Sequence, residues 1–334
     1  MRALAALTIL AVCFAPAAAQ ENLETVVDGL VNPCGVVVHP DTGDLFVSDS
    51  GAGRIIRVEI GEDGKAKTTD VVTGFSTDIY GKGPMYDIGP LGLAFLDAKT
   101  LVVGGGDKVD TDEVIYVFEI PDAGAEALTP DDAKTKLGPL KSTEDLLAEG
   151  NYYAVAITGG AVFASANGDD TKGWIVKAAI DGTNFGELER SIATKEATQV
   201  DAPVALTVDP RGNLVVGQMG EITVPNDSLL TFYNPKTGQM RLNLETNLFD
   251  ITGLAYSPKG HLYATDFAWM ATEEGGLFRL DAEGQGQAQT IEPVKITELD
   301  KPTALAFGKD GALYITIIGS GEKGGKLVRL APGL

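Results

Sequence analysis

Cysteine is almost missing from this chain of 334 residues; there are two, Cys13 and Cys34. Histidine is as rare, with only His39 and His261. Basic residues are scarce beside acidic ones, 26 Lys and Arg against 47 Asp and Glu, for a formal net charge of −21. No apolar run reaches the roughly 20 residues that a membrane-spanning helix needs. Each shortage excludes something. Two cysteines build no disulfide framework, so a large packed core must hold the chain together. Two histidines supply no three-His or His–Cys set for zinc or copper. An acidic surface repels nucleic-acid phosphates and anionic lipid heads, which speaks against both as partners. Haem has no attachment motif here.

The first residues are "MRALAALTILAVCFAPAAAQ". Arg2 is a positive start, Leu4 to Phe14 form a short apolar core, and Ala17-Ala18-Ala19 gives the small-x-small pattern of a cleavage site. Residues 1–19 therefore read as a signal peptide, and 20–334 as the mature chain, expected in the periplasm or outside the cell as a monomer. "LAVC" is a poor lipoprotein site because of Val12. Cys13 leaves with the leader. Cys34, in "NPCGVVVHP", reads as a small packed residue rather than a nucleophile.

What the chain has in quantity is repetition. "PCGVVVHPDTGDLFVSD" from Pro33, "PLGLAFLDAKTLVVGGGD" from Pro90 and "YYAVAITGGAVFASANGDD" from Tyr152 align with one another. "PVALTVDPRGNLVVGQ" from Pro203, "TGLAYSPKGHLYATDF" from Thr252 and "PTALAFGKDGALYITIIGS" from Pro302 complete the set. A small residue recurs: Gly35, Gly92, Ala154, Ala205, Gly253, Ala304. Branched apolar residues follow it, with larger ones two positions further on, which is the period of a strand. A turn, a second strand, a variable loop and a third strand complete the pattern, and several units show a weaker fourth. Four strands in a unit of about 50 residues make a β-propeller blade. Six units predict an all-β, six-bladed propeller in one domain. The chain stops after the third strand of unit six. "ETVVDGL" (Glu24 to Leu30) resembles the fourth strand "TDVVTGF", so the N-terminal strand is expected to complete the last blade and leave no open edge.

"LVVGGGDKVD" from Leu101 looks at first like a phosphate-binding turn. A dinucleotide fingerprint needs glycine at its first, third and sixth positions and then a helix. Here the sixth position is Val109, and "EVIYVFEI", a strand, follows. The glycines read instead as a tight turn between strands two and three.

The segments "APVALTVDPRGNLVVGQ", "DITGLAYSPKGHLYATD" and "NPCGVVVHPDTGDLFVSDSGAGRIIRV" resemble blades of the NHL-repeat and gluconolactonase-like six-bladed propellers, with TolB-like topology. The resemblance spans the mature chain and is specific for fold, whereas this fold serves lactonases, quinoprotein dehydrogenases and binding proteins alike. It implies that loops into first strands and loops between second and third strands share the face around one channel mouth. It also implies a metal held there by Glu, Asn, Asn and Asp. The matching positions here are Asn32, Asn151, Asp201, Asp250 and Asp300, with no glutamate in the first unit. They read either as oxygen ligands for a divalent cation such as Ca²⁺ or as caps for the local backbone. The loops "DKVDTDE" and "NGDDTKG" lack EF-hand spacing and read as solvated turns.

Aromatic residues gather on the same loops: Tyr80 and Tyr86 in "FSTDIYGKGPMYDIGP", Tyr152 and Tyr153 in "GNYYA", Trp269 in "DFAWMATEEGG". They read as a ligand-binding set for a sugar or other flat molecule, or as packing between loops. Both histidines belong to the opposite face. That disfavours a Ser-His-Asp hydrolase, a paraoxonase-like mechanism and a quinone dehydrogenase using histidine. Two functions stay open. One is a module binding a small molecule, carbohydrate or protein through the channel-mouth face. The other is a metal-dependent lactonase with carboxylate and amide ligands at that mouth.

Overall fold

The computed structural model describes residues 23–166, 172–284 and 286–334. The leader, its cleavage site and Asn167 to Thr171 of the second acidic loop lie outside the described residues. The chain forms six four-stranded antiparallel blades in a ring. Blade one is typical, with strands Pro33–Val38, Leu45–Asp49, Arg54–Ile60 and Ala66–Thr73. The first strands of the others are Pro90–Phe95, Val155–Thr158, Pro203–Val208, Ile251–Tyr256 and Pro302–Phe307. Glu24–Leu30 pairs antiparallel with Gly325–Leu330 and closes blade six, with Glu24 opposite Arg329 and Leu30 opposite Gly325. Blade three carries an extra short strand, Asn184–Phe185.

The small column has a steric cause. A Cβ on Gly35 would lie 2.3 Å from the Leu91 carbonyl oxygen, and one on Gly92 would lie 2.6 Å from that of Tyr153. First strands of neighbouring blades approach too closely for anything larger. The next residue of each, Val36, Leu93, Val155, Leu206, Leu254 and Leu305, is only 6–8 % exposed and packs in the core between its own blade and the one before. Together with the small column these residues border the channel.

A column in the second strands fastens blade to blade. Ser48 donates to the Leu91 carbonyl at 2.6 Å and Ser165 to that of Val204 at 2.8 Å. Thr252 and Thr303 do the same for Pro302 and Pro33, at 2.7 and 2.6 Å, each beside a second-strand threonine, Thr265 or Thr316. Where Gly104 and Gly217 occupy the column, the next blade presses straight in. A Cβ on Gly104 would sit 1.9 Å from the Tyr152 carbonyl oxygen, and one on Gly217 would sit 2.7 Å from Ile251. This corrects the reading of the glycine run as a turn. Gly104 and Gly105 end the strand Thr100–Gly105, and none of Gly104, Gly105 and Gly106 has a positive φ. Close approach, by Tyr152, Val114 and Leu91 respectively, is what requires glycine there.

Between blades one and two the chain makes a hairpin of its own, Asp78–Tyr80 paired with Tyr86–Ile88. The insertion after Glu119 is mostly irregular. Thr129 and Asp132 form a capping box around a single 3₁₀ turn, Pro130–Asp132, while no helix follows Ser142.

Candidate functional site

The channel-mouth face is assembled from loops that differ in every blade. Its centre is filled. Tyr153 reaches from blade three across to blade six, where its hydroxyl donates to the Thr303 carbonyl at 3.0 Å. Around this bar lie Cys34, Ile88 and Leu91 on one side and Ala202, Val204 and Met219 on the other. The Cys34 thiol donates to the Asn32 carbonyl at 3.2 Å, and burial pushes it up to about 12, so it stays protonated. Two small spaces remain: about 50 Å³ at the mouth beneath Tyr80, and about 110 Å³ in the channel lined by the small column. Ligand pockets usually enclose about 300 Å³ or more. A larger concavity, about 490 Å³, lies elsewhere, between residues 135–141 and 185–190 on the rim of blades two and three.

The hairpin lies over this plug, held by rings. Tyr86 meets Trp269 edge-on at 5.5 Å and Phe267 at 6.2 Å, Tyr80 meets Trp269 at 6.3 Å, and Phe267 stacks on Trp269 at 4.9 Å. Trp269 Nε1 donates to the Gly83 carbonyl at 3.3 Å, which fastens the hairpin turn. Each edge-to-face pair adds about 1 kcal/mol to ordinary burial. Tyr80, Tyr86, Tyr153 and Trp269 are therefore brought together at the mouth, packed on one another. Tyr152 is apart from them, fully buried in the core between blades two and three.

The oxygen-bearing column serves the backbone. Asn32 and Asn151 have φ of 46° and 49°, and Ala202 and Lys301 share that left-handed corner with φ of 54° and 58°. Asparagine tolerates it better than most residues, which accounts for its presence without any ligand. The Asn32 amide donates to the Asp87 carbonyl at 3.0 Å. Asp201 caps the Ala202 N–H at 2.7 Å and pairs with Lys195. Asp250 accepts from the Trp269 N–H. Partial burial pushes the Asp300 carboxyl up, but Lys301 Nζ and the Ser320 hydroxyl, both at 2.8 Å, together outweigh it and hold the group below the usual range. Among the described residues no three His, Cys, Asp or Glu side chains converge as metal ligands. The apolar mouth, and the carboxylates of Asp201, Asp250 and Asp300 already engaged by hydrogen bonds, do not fit the metal that the resemblance implies.

Sequence reading missed a set of buried acids that clamp the chain as it enters strands, three of them at first strands and Glu149 at the third strand of blade three. Asp49 accepts from the Val31 N–H at 2.6 Å, and Asp266 from the N–H groups of Phe249 and Asp250 at 3.0 and 2.7 Å. Glu113 accepts from the Asn151 N–H, and Glu149 from those of Lys172 and Trp174, both at 3.1 Å. Asp49 and Asp266 end equivalent second strands, so that column was open to inspection. Glu113 and Glu149 sit in loops of unlike length and carried no signal. Burial raises Glu113 to about 9 and Asp250 to about 7, with Asp266 and Asp227 adding repulsion at Asp250.

No family model and no curated protein matches the chain. Many solved structures do, at low identity. The PQQ-bound aldose sugar dehydrogenase of Streptomyces coelicolor is 15% identical with a TM-score of 0.62, covering 95% of this chain and 99% of its own. A protein assigned as a gluconolactonase is 15% identical with a TM-score of 0.59, covering 93% and 92%. A calcium-binding protein, regucalcin of Agrobacterium tumefaciens, is 14% identical with a TM-score of 0.57, covering 93% of each chain. The structural neighbours are thus gluconolactonase-like and regucalcin-like six-bladed propellers, as the blade sequences led one to expect, and the likeness is one of fold.

Proposed function

We propose that this chain is an exported binding module whose partner is a macromolecule docking on the channel-mouth face. One observation carries the reading. The mouth is plugged by Tyr153, Leu91, Val204 and Met219 and roofed by an aromatic hairpin, while apolar side chains stand exposed around the roof. A space of about 50 Å³ admits no sugar or lactone, whereas a surface with protruding apolar groups suits a protein. Export rests on the leader pattern of residues 1–19. The test compares wild type with Met85→Glu/Met270→Glu in crosslinking to proteins of the exporting cell's envelope. A specific product present only with wild type supports the reading. Equal crosslinking by both proteins excludes this face.

A second reading, a metal-dependent lactonase, has one observation in its favour. Asp250 is buried near the mouth with its pKa lifted to about 7, an environment hydrolytic sites use. Its neighbours in fold include a protein assigned as a gluconolactonase and a calcium-binding regucalcin. Lactone turnover abolished by a chelator and by Asp250→Asn would replace the first reading with this one.

A further inference from the structure

Among the described residues, six of the nine large apolar ones that are exposed lie in loops that enter first strands or join second to third strands. They are Ile79, Met85, Val109, Leu147, Val224 and Met270, each 46–65 % exposed, while Leu23, Ile60 and Met240 elsewhere reach only 37–39 %. Ile79 and Met85 flank the tip of the roofing hairpin, and Met270 follows Trp269, which the hairpin touches. Ile79, Met85 and Met270 are therefore continuous with the aromatic roof. Two of them are methionines, flexible side chains that adapt to a partner's contours.

The same loops are acidic at their exposed positions: Asp87, Asp112, Glu144, Asp145, Glu221, Glu273, Glu274 and Glu322, against Lys82, Lys141 and Lys323 among exposed bases. Asp227 adds a carboxylate whose Oδ1 is buried without a hydrogen-bond partner. An apolar centre ringed by one sign of charge selects its complement. Like charge excludes a second copy of this chain, whose formal charge is −21, and anionic lipid as well.

Resting on the proposed docking function, we propose that the partner offers a basic amphipathic segment. Its apolar side chains pack on Met85, Met270 and Ile79, and its lysines or arginines meet the acids of the surrounding loops. The apolar contact supplies most of the affinity. The charges set the partner's class and speed the encounter.

Three synthetic helical peptides of about 18 residues, five turns long, test this in titration calorimetry with the purified mature protein. One alternates Leu and Lys faces, one has Glu for every Lys, and one has Ser for every Leu. The Leu/Lys peptide is expected to bind about ten-fold or more tighter than either other, and to weaken about ten-fold from low to high salt. Met85→Glu/Met270→Glu should weaken its binding about 100-fold at unchanged melting temperature. Glu273→Gln/Glu274→Gln should weaken it and reduce the salt dependence. Equal binding of the Leu/Lys and Leu/Glu peptides would overturn the basic partner and leave the docking function standing. Equal binding of Ser/Lys would reduce the attraction to bare charge and overturn the proposal. Binding of none of the three would sink the docking function too. Capture of the protein by neutral phosphatidylcholine vesicles would replace the peptide partner with a lipid surface.

Discussion

The two faces of the ring are built to different rules. On the face away from the mouth, the turns between first and second strands of blades one, four, five and six are copies of one another. His39, Asp209, Ser257 and Gly308 each donate from the backbone N–H to a carbonyl four or five residues on, Asp44, Asn213, His261 or Ala312. In each a glycine stands at φ near +80°: Gly43, Gly212, Gly260 and Gly311. On the mouth face the fully described loops between second and third strands differ from one another, and one of the loops into a first strand has grown into a hairpin. Copied turns satisfy the backbone and permit a strand pair. Divergent loops are where a scaffold differs from its relatives, and binding residues concentrate there.

The largest expected effect falls on the roof. Trp269→Ala removes a nearly buried ring that holds Phe267, Tyr80, Tyr86 and the Gly83 carbonyl, and should cost about 3–5 kcal/mol in stability, read by denaturant unfolding. Hydrogen exchange should quicken first in Asp78–Tyr80 and Tyr86–Ile88. Loss spread evenly over the blades would mean that the hairpin is no separate roof. Next comes binding. Met85→Glu with Met270→Glu should weaken the partner by about 100-fold, as for a central apolar anchor, with stability changed by less than about 0.5 kcal/mol.

A smaller effect appears with pH. Asp250 binds its proton more tightly folded, near pH 7, than unfolded, where it titrates with an ordinary carboxyl value. The folded state therefore holds the extra proton across that interval, and this group's contribution to stability falls as pH rises from about 4 to about 7. Asp250→Asn should flatten the decline of melting temperature with pH there, and an unchanged slope would place the raised pKa elsewhere. Glu113, near 9, extends the same sign to higher pH. The smallest effect belongs to the copied face. Gly260→Ala forces a side chain to φ +85° with nothing within 4 Å, so it should cost about 1 kcal/mol through the backbone alone and leave partner binding intact.

Much of the ring was legible because its rules recur. Gly35, Gly92 and Gly253 announce close first strands, and "ETVVDGL" announces closure. The mouth was legible only in part. Tyr80, Tyr86, Tyr153 and Trp269 could be assigned to one face from loop order, yet nothing in the chain says that they bury one another. Tyr152 and Tyr153 are adjacent, and alternation sends one into the interblade core and the other across the channel. The Asn and Asp column left ligand and cap both open, with the cap the stronger reading, and what the sequence omitted was the left-handed corner that asparagine fills at 32 and 151. The glycines at 104–106 misled for a related reason: a glycine required by a neighbour 48 residues later looks the same as one required by a turn.

Hydrogen exchange on the mature protein, with and without the Leu/Lys peptide, tests most directly that the mouth face is a docking surface. The account predicts added protection in residues 76–89, 219–228 and 267–275 and none in the copied turns at 39–44, 209–213, 257–261 and 308–312. Protection confined to the copied turns, or no protection anywhere at saturating peptide, would contradict it.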